Sequence, residues 1–319
     1  MVEMARDAVA SLLPPDGKVY FTSGATEALN WALRGAGQGG IAIADTEHAA
    51  VRDTSLWLAK HRRKLTLLKI DSDGLVNVES ELAANVGMVS AMFVNNEIGV
   101  IQPVSAIAQK AHAAGALFLC DAVQGFGRIA IPEGPDLIAV SAHKIHGPKG
   151  IGALWVRNGV EIEPFIFGGG QEGGLRSGTL SPALCIGFGT AATLARMRMA
   201  EDKAHVGQLW KVAMDMLPRG WHVNGSVAQR YKGNLSIRNE DVDASQLISE
   251  LRDVAFSAGS ACASGSGRPS HVLKAIGLTE MQARSSIRLG FGRYTTLSEF
   301  REGLRLIFAA AERQHRLAA

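Results

Sequence analysis

An aspartate, Asp121, lies at the end of an apolar segment in the first half of the chain. Asp121 directly follows the apolar residues 117–120, and Gln124 comes three residues later. Because ligands bind at the carboxyl ends of strands in open α/β sheets, a carboxylate there could keep a ring nitrogen of a bound cofactor protonated. Aspartate is also favoured at the start of a helix, so a purely structural role for Asp121 stays open.

A lysine follows the next apolar segment. Lys144 ends the motif Ser141-Ala142-His143-Lys144, directly after residues 137–140, and Lys149 follows within a turn rich in glycine and proline. Lysine is the residue type that forms Schiff bases with carbonyl groups. A lysine in a loop is more often a solvated surface charge, and the residue types alone do not choose between Lys144 and Lys149.

A glycine turn near the start of the chain could bind a phosphate. Residues 23–27 follow a predicted strand and open a predicted helix. The free backbone N–H groups and the positive end of that helix, with the hydroxyls of Ser23 and Thr26, are suited to an anion. Any glycine turn between a strand and a helix looks similar, so this motif is weak when taken alone.

Cys262 has different surroundings from the other two cysteines. Residues 257–267 include no large apolar side chain, so we expect an exposed loop with an accessible thiol. Cys120 and Cys185 lie in apolar segments and are typical of buried structural thiols. The three cysteines show neither disulfide pairing nor metal-ligand spacing, which favours a reducing compartment, the cytoplasm, and no bound metal.

The elements that must position these residues alternate along the first two thirds of the chain. Apolar runs predict strands at residues 19–22, 41–44, 65–70, 90–94, 117–120, 137–141 and 152–156. Amphipathic segments predict helices at residues 26–33, 49–61 and 105–114. The strands are apolar almost throughout, which is typical of parallel strands buried on both faces. We therefore predict an α/β fold with a mostly parallel central sheet and flanking helices.

A long helix leads from this region to a smaller one. Ser181 is suited to cap it and Pro182 to begin it, and the helical pattern continues to Leu217. Further elements are predicted at residues 233–238, 244–252, from 270 onward, at 286–290, and in a final helix after the capping box of Thr296 and Glu299. We predict a large domain, residues 1–200, and a smaller α+β domain, residues 201–319, that carries the Cys262 loop.

The composition excludes several classes of protein. The 319 residues are 47% hydrophobic and 20% charged, which is typical of a globular chain and not of a disordered one. The formal charge of +3 is spread along the sequence, so we expect no nucleic-acid partner. No apolar stretch approaches the length of a membrane span, and the first residues lack the pattern of a secretory signal, so we expect no membrane insertion.

Taken together, the motifs resemble those of the cysteine desulfurases, within the class V branch of fold-type I pyridoxal phosphate enzymes. The resemblance covers residues 1 to about 308. The matching motifs occur in the family's order: Ser23-Gly24-Ala25-Thr26-Glu27, Glu47-His48, Asn95-Asn96-Glu97-Ile98-Gly99, Asp121-Ala122-Val123-Gln124, Ser141-Ala142-His143-Lys144, Arg176-Ser177-Gly178-Thr179 and Ser260-Ala261-Cys262. So many ordered motifs are far more specific than any one of them.

The resemblance implies pyridoxal 5'-phosphate as the cofactor and assigns residues to its ring. Lys144 would form the Schiff base, Asp121 would pair with the pyridine nitrogen, and Gln124 and Asn96 would lie beside the phenolic oxygen and the substrate. His48 corresponds to the residue that stacks over the ring and assists proton transfer. A polar helix-start residue is the alternative for His48, and histidine titrates near neutrality in either role.

The resemblance also assigns the phosphate and the substrate. The phosphate would be held by Ala25, Thr26, Ser141 and His143, with Thr179 contributed by the partner subunit of a homodimer. Cys262 matches the nucleophilic cysteine, in a long loop like that of the subgroup whose cysteine swings from substrate to acceptor protein. Arg288 matches the arginine that takes the substrate carboxylate, for which a guanidinium is suited. A strand-end ion pair is the alternative for Arg288, but its neighbouring sequence offers no obvious carboxylate partner.

These assignments imply a reaction and its alternatives. L-cysteine would be converted to L-alanine, with a persulfide on Cys262 that passes to an acceptor such as an iron–sulfur scaffold, for cluster assembly or tRNA thiolation. The alternatives are a selenocysteine lyase or a class V aminotransferase, and the Cys262 loop disfavours the aminotransferase. Another is a catalytically impaired, N-terminally truncated homologue that acts as a binding protein. The joint presence of the candidate catalytic residues disfavours a binding protein: Lys144, Asp121, His48, Cys262 and Arg288.

The sequence departs from the family at its start. Family members begin several dozen residues earlier, with a strand and an Asn-Ala-Thr-Thr-like turn that helps to cover the site and hold the substrate carboxylate. This sequence begins inside the following helix. The resemblance then implies either a start codon further upstream or a reduced form that binds the cofactor poorly.

Overall fold

The computed structural model of the protein describes residues 1–61, 63–259 and 270–318. They form two compact units. The first contains Met1–Lys69, Val76–Val94 and Gln102–Met199, and the second contains Ile70–Leu75, Asn95–Ile101 and Ala200–Ala319. The second unit thus draws two short segments from the region that was assigned to the large domain, and the division at residue 200 stays a prediction.

A seven-stranded sheet forms the centre of the first unit. Its strands are β1 (Gly17–Thr22), β2 (Gly40–Ala44), β3 (Leu65–Leu68), β4 (Val86–Ser90), β5 (Leu117–Asp121), β6 (Leu137–Ser141) and β7 (Gly152–Arg157). They lie in the order β1-β7-β6-β5-β4-β2-β3. The neighbours from β6 to β3 are parallel, and β7 is antiparallel to both β6 and β1. The predicted mostly parallel sheet is confirmed.

One predicted strand was misplaced. We predicted a strand at residues 90–94, whereas β4 ends at Ser90. Residues 91–94 are as deeply buried as β4 and still donate backbone hydrogen bonds to β5, from Ala91 N to Leu119 O at 3.2 Å and from Phe93 N to Asp121 O at 2.8 Å. An uninterrupted run of apolar residues indicates that a segment is buried. Because the buried segment continues beyond the end of β4, the apolar run placed the strand four residues too late.

Helices cover both faces of this sheet. The helices are α1 (Val2–Ala10), α2 (Ala25–Gly35), α3 (Ala49–Lys60), α4 (Val104–Ala113) and α5 (Pro182–Met216). Tyr20 packs edge-on against Trp31 of α2 at 5.8 Å between ring centroids, while its neighbour Phe21 lies 6.3 Å from Phe188 of α5. Because adjacent strand residues point to opposite faces, α2 and this part of α5 lie on opposite sides of the sheet.

A smaller antiparallel sheet forms the second unit. Its strands are β8 (His222–Val223), β9 (Asn234–Arg238), β10 (Ser257–Ala258) and β11 (Ser286–Gly290), in the order β10-β11-β9-β8. The accompanying helices are α6 (Ala244–Glu250), α7 (His271–Ala275), α8 (Glu280–Arg284) and α9 (Leu297–Ala318). This mixture of strands and helices agrees with the predicted α+β character of the C-terminal region.

Aromatic packing and helix caps hold the second unit. Trp221 and Phe308 meet at 5.3 Å between ring centroids, in a core that also includes Trp210 of α5. The predicted capping box is present, because Thr296 Oγ1 accepts the Glu299 N–H at 3.2 Å and a Glu299 carboxylate oxygen accepts the Thr296 N–H at 3.2 Å. Among the helices of the described residues, none combines the length and the apolar character that a membrane span requires.

Candidate active site

Four chain segments meet at one edge of the large sheet. Strands β1, β2, β5 and β6 run in the same direction, since β1 and β6 are both antiparallel to β7 and β6 is linked to β2 through parallel neighbours. Their carboxyl ends therefore lie at the same edge. The residues that follow these strands are 23–26, 47–48, 121–124 and 141–146, which include most of the predicted cofactor ligands.

Asp121 is the buried carboxylate of this edge. Its side chain is almost fully buried, and one carboxylate oxygen accepts the Val123 N–H at 3.0 Å. Burial raises the pKa of Asp121, while the Val123 hydrogen bond and the positive charges of His48 and Lys144 act to lower it. The structure thus brings together three of the predicted site residues, and the two basic groups favour the ionised carboxylate.

Lys144 occupies a more protected position than Lys149. It lies in a short 3-10 turn, Ala142–Ile145, directly after β6, and is half-buried, whereas Lys149 is exposed. Arg128, which sequence analysis did not single out, donates to the Lys144 backbone carbonyl at 2.8 Å and to Gln124 Oε1 at 3.1 Å. Arg128 therefore links two predicted site residues, and only its spacing of four from Gln124 could have indicated this.

The predicted phosphate residues lie around the start of α2. Helix α2 begins at Ala25 without a side-chain cap, and Thr26 is exposed. Gly152 allows β7 to approach closely, because a Cβ there would lie 2.8 Å from the Gly24 Cα. The N-terminal N–H groups of α2 thus form an uncapped donor set, which is suited to an anion.

Two further predicted phosphate ligands contact each other. Ser141 Oγ and His143 Nδ1 are 2.9 Å apart. Burial and the positive charges of Lys144 and Lys149 lower the pKa of His143, so its imidazole is neutral near pH 7. Thr179 is exposed in the same unit, on the segment that follows Arg176.

Glu27 links residues 23–26, which were predicted to bind the phosphate, to the segment that contains Arg176 and Thr179. Its carboxylate accepts the Ser23 N–H at 2.7 Å and pairs with Arg176 through two hydrogen bonds of 2.7 and 3.1 Å. The ion pair is well protected from solvent. Burial acts to raise the pKa of Glu27, but the hydrogen bonds from Arg176 and Ser23 outweigh it and hold the pKa below its usual value.

His48 caps a helix. Its Nδ1 accepts the Ala50 N–H at 3.1 Å at the start of α3. This is the polar helix-start role that sequence analysis kept as the alternative. Because Nδ1 is the acceptor, a neutral His48 ring carries its proton on Nε2, so the cap also fixes the tautomer of the side chain.

The predicted substrate residues lie in the second unit and contact each other. Arg288 on β11 donates through Nη1 to the Asn96 carbonyl at 2.8 Å, and Asn234 Nδ2 donates to the same oxygen at 3.1 Å. Both Asn96 and Arg288 are half-buried. The charge of Arg288 also acts on Glu97, which lies far away along the chain, and acts to lower the pKa of that carboxyl.

Glu97 is a buried carboxyl that sequence analysis quoted in a motif but gave no role. Its carboxylate accepts the hydroxyl of Ser270, the residue that caps α7. Burial raises the pKa of Glu97 to about 7, against the opposing effects of the Ser270 hydrogen bond and the Arg288 charge. The signal available in the sequence was a charged residue close to the apolar run of residues 91–94.

This raised pKa predicts a pH-dependent stability. The folded protein binds a proton at Glu97 near pH 7, whereas the unfolded chain does so near pH 4.5. The resulting stabilisation is complete below the unfolded pKa and is lost as the pH rises through 7. From about pH 5 to about pH 8, the free energy of unfolding of the wild type should fall by up to about 2.5 kcal/mol relative to Glu97→Gln. Urea unfolding of both proteins measures this, and a difference that does not vary with pH would contradict it.

The cysteines are placed as follows. Cys120 and Cys185 are buried free thiols, as predicted. Burial, then the negative charges of Asp121 and Glu47, raise the pKa of Cys120 well above its usual value, which makes it a poor nucleophile. Cys262 lies outside the described residues, so its assignment stays a prediction.

Comparisons with known proteins show which family the fold and sequence belong to. The family model described as Aminotransferase class-V matches residues 1–302. The chain is 41% identical to the cysteine desulfurase IscS of Rickettsia bellii, over 96% of this chain and 79% of the relative.

Solved structures are similar as well. A NifS-like protein from Rickettsia africae superposes with a TM-score of 0.87 at 26% identity, over 98% of this chain and 88% of that one. SspA, solved in complex with cysteine, superposes with a TM-score of 0.79 at 31% identity, over 92% of this chain and 87% of that one. The chain therefore belongs to the class V aminotransferase family and, within it, to the cysteine desulfurases, which are pyridoxal phosphate-dependent enzymes.

Proposed function

We propose that this protein converts L-cysteine to L-alanine and keeps the sulfur as a persulfide on Cys262. The observation that carries the proposal is the edge of the large sheet, where buried Asp121 ends β5, Lys144 follows β6 and His48 follows β2. A buried carboxylate beside a lysine and a histidine has the groups that an amino acid-transforming site needs. The family resemblance to the cysteine desulfurase of R. bellii supports the choice of L-cysteine.

The residues at this edge fit pyridoxal phosphate. Buried Asp121 is suited to a protonated ring nitrogen, half-buried Lys144 to the aldehyde carbon, and the uncapped start of α2 to the phosphate. When bound, the cofactor supplies an electron sink for the bonds at the substrate Cα. We propose Ala25, Thr26, Ser141 and His143 as phosphate ligands.

The side chains around this cofactor position would orient the substrate and move its protons. We propose that the Lys144 amine takes the proton from the substrate Cα. Asp121 would stay ionised, Gln124 and Asn96 would lie beside the phenolic oxygen, and Asn96 would also contact the substrate. His48, with Nδ1 engaged in the α3 cap, offers Nε2–H to set the protonation of the substrate thiol.

Sulfur transfer would then take place at Cys262. The Cys262 thiolate attacks the substrate sulfur, so that an S–S bond forms while the bond from that sulfur to the substrate Cβ breaks. The electron pair of the broken bond remains on the substrate carbon skeleton, which takes up a proton and leaves as L-alanine. Enzyme thiol and cysteine thus yield enzyme persulfide and alanine, with no outside oxidant or reductant.

Arg288 is proposed as the anchor of the substrate carboxylate. Its Nη1 donates to the Asn96 carbonyl, and a guanidinium has further N–H groups that can bind a carboxylate as a fork. Arg288→Lys keeps the charge and loses the fork, so we expect KM for L-cysteine to rise by about 10-fold or more with a smaller change in kcat.

Steady-state rates of alanine formation measure the effect of Arg288→Lys. Arg284→Lys is the matched control, since Arg284 is exposed and pairs with Glu280 on the surface of α8. A KM equal to that of the wild type would remove Arg288 from this role.

The partners and the compartment complete the proposal. We propose a homodimer in which Thr179 of each subunit contacts the phosphate bound by the other. The persulfide sulfur would pass to an acceptor protein such as an iron–sulfur scaffold, for cluster assembly or tRNA thiolation, in the cytoplasm. The division into a large cofactor domain, residues 1–200, and a small domain, residues 201–319, belongs to the same proposal.

Product analysis tests the proposed reaction against its alternatives. Incubated with L-cysteine, pyridoxal phosphate and a thiol reductant, the protein should release alanine and sulfide in equal amounts. A class V aminotransferase would instead give a keto acid and need an amino-group acceptor. A selenocysteine lyase would act on selenocysteine and leave L-cysteine unchanged, and a binding protein would form no product.

A further inference from the structure

Two segments that are distant in the sequence meet at a buried carboxyl in the second unit. Glu97 is 4% exposed and Ser270 is 4% exposed, and the Ser270 hydroxyl donates to the Glu97 carboxylate across 173 positions of sequence. The same Ser270 oxygen accepts the Leu273 N–H at 3.1 Å, which caps α7. A serine cap needs only that second bond, so the cap by itself does not explain why a carboxylate is buried against the hydroxyl.

Glu97 is held rigidly by its own turn. Asn95 Oδ1 accepts the N–H groups of Glu97 at 2.8 Å and of Ile98 at 3.0 Å. Gly99 closes the turn with its N–H on the Asn95 carbonyl at 2.9 Å, at a φ of 71° that favours glycine. These hydrogen bonds within residues 95–99 thus fix the backbone conformation of the turn.

The same turn holds Arg288. The Asn96 carbonyl accepts Arg288 Nη1 at 2.8 Å and Asn234 Nδ2 at 3.1 Å. Two charged groups face the turn among the described residues. Arg288 lies close enough to act on the Glu97 carboxylate, and Arg230 donates to the Ile98 carbonyl.

We propose that Glu97 is a positioning residue that fixes Ser270, eight positions after Cys262 in the sequence, to the turn that holds Arg288. The inference rests on the proposed function, in which Arg288 anchors the substrate carboxylate and Cys262 accepts the sulfur. Glu97 touches neither substrate nor cofactor in this role. Through its hydrogen bond to Ser270, Glu97 connects the turn that holds Arg288 to the part of the chain that follows Cys262.

Loss of the carboxyl should therefore affect both kinetic constants. Glu97→Ala is expected to lower kcat by about 10-fold and to raise KM for L-cysteine several-fold, because small displacements of reacting groups are costly. Ser270→Ala removes the bond to Glu97 and the cap of α7 but leaves the turn that holds Arg288 intact, so it should lower kcat and leave KM unchanged. The double variant should be no slower than Glu97→Ala, since both substitutions remove the same hydrogen bond.

A matched control separates positioning from helix capping. Thr279→Ala removes the cap of α8, where the threonine accepts the Gln282 N–H and no buried carboxylate is involved. It should cost a similar amount of helix stability and leave kcat unchanged. A fall in kcat equal to that of Ser270→Ala would overturn the inference.

Glu97→Gln provides a second test of the proposal if Glu97→Ala does not fold. Its amide oxygen can still accept the Ser270 hydroxyl, so kcat should stay near that of the wild type. KM should match the wild type at about pH 6, where Glu97 carries a proton, and differ from it at about pH 8, where Glu97 is charged beside Arg288. The same KM difference at both pH values would overturn the inference.

The assay on the full chain is alanine formation from L-cysteine by the wild type and each variant. Alanine from the wild type, with unchanged constants in Glu97→Ala, would overturn the positioning role alone. Absence of alanine from the wild type would overturn the proposed function and this inference with it. Reduced kcat in both Glu97→Ala and Ser270→Ala, with non-additivity in the double variant and an unaffected Thr279→Ala, would support it.

Discussion

Replacement of Lys144 with alanine should remove the visible absorption of the protein with pyridoxal phosphate and slow alanine formation by about 10³-fold or more. Lys144 is the half-buried lysine at the end of β6, and its charge acts on buried Asp121. The variant loses the group that we propose to bond the cofactor, which is also the proposed base at the substrate Cα. Absorption spectra and alanine assays on the same samples measure the two effects.

Lys149→Ala is the matched control for Lys144→Ala. Lys149 belongs to the same loop but is exposed. Its removal should leave the visible absorption unchanged and alter the rate by less than about threefold. If Lys149→Ala lost the absorption and Lys144→Ala kept it, the assignment of the two lysines would have to be exchanged.

Replacement of Cys262 with alanine should separate substrate binding from sulfur transfer. The variant keeps Lys144, Asp121 and Arg288, so L-cysteine should still change its visible absorption. Without the thiol it should form no persulfide, and alanine formation should fall by about 10³-fold or more. Mass spectrometry of the intact protein after brief exposure to L-cysteine detects the added sulfur in the wild type.

The control for Cys262→Ala is Cys185→Ala. Cys185 is a fully buried thiol on α5, and burial is the main cause of its raised pKa. Its loss should leave persulfide formation intact apart from a small effect on stability. Normal release of sulfide by the Cys262→Ala variant would show that another group accepts the sulfur.

Positions at the sheet edge could be predicted from the sequence because they follow from local patterns. Apolar runs marked β5 and β6, and the rule that parallel strands end at one edge placed Asp121 and Lys144 there. The strand predicted at residues 90–94 was misplaced because the buried residues continue beyond Ser90, where β4 ends. The roles of these residues stay proposals.

Long-range polar contacts could not be predicted from the sequence. The bond between Arg288 and the Asn96 carbonyl spans 192 positions, and that between Ser270 and Glu97 spans 173. Local propensity carries no information about such pairs, because each side chain has many compatible partners along the chain. The resemblance to a family identified Arg288 as important, but only the structure identified Glu97 as its neighbour.

The most direct test of the central claim is the visible absorption spectrum of the full chain with pyridoxal phosphate, before and after addition of L-cysteine. We expect an absorption band of the cofactor bound through Lys144, a shift of that band on addition of L-cysteine, and alanine in the same cuvette. A protein that shows no such band, or a band that L-cysteine leaves unchanged, would contradict the proposed activity.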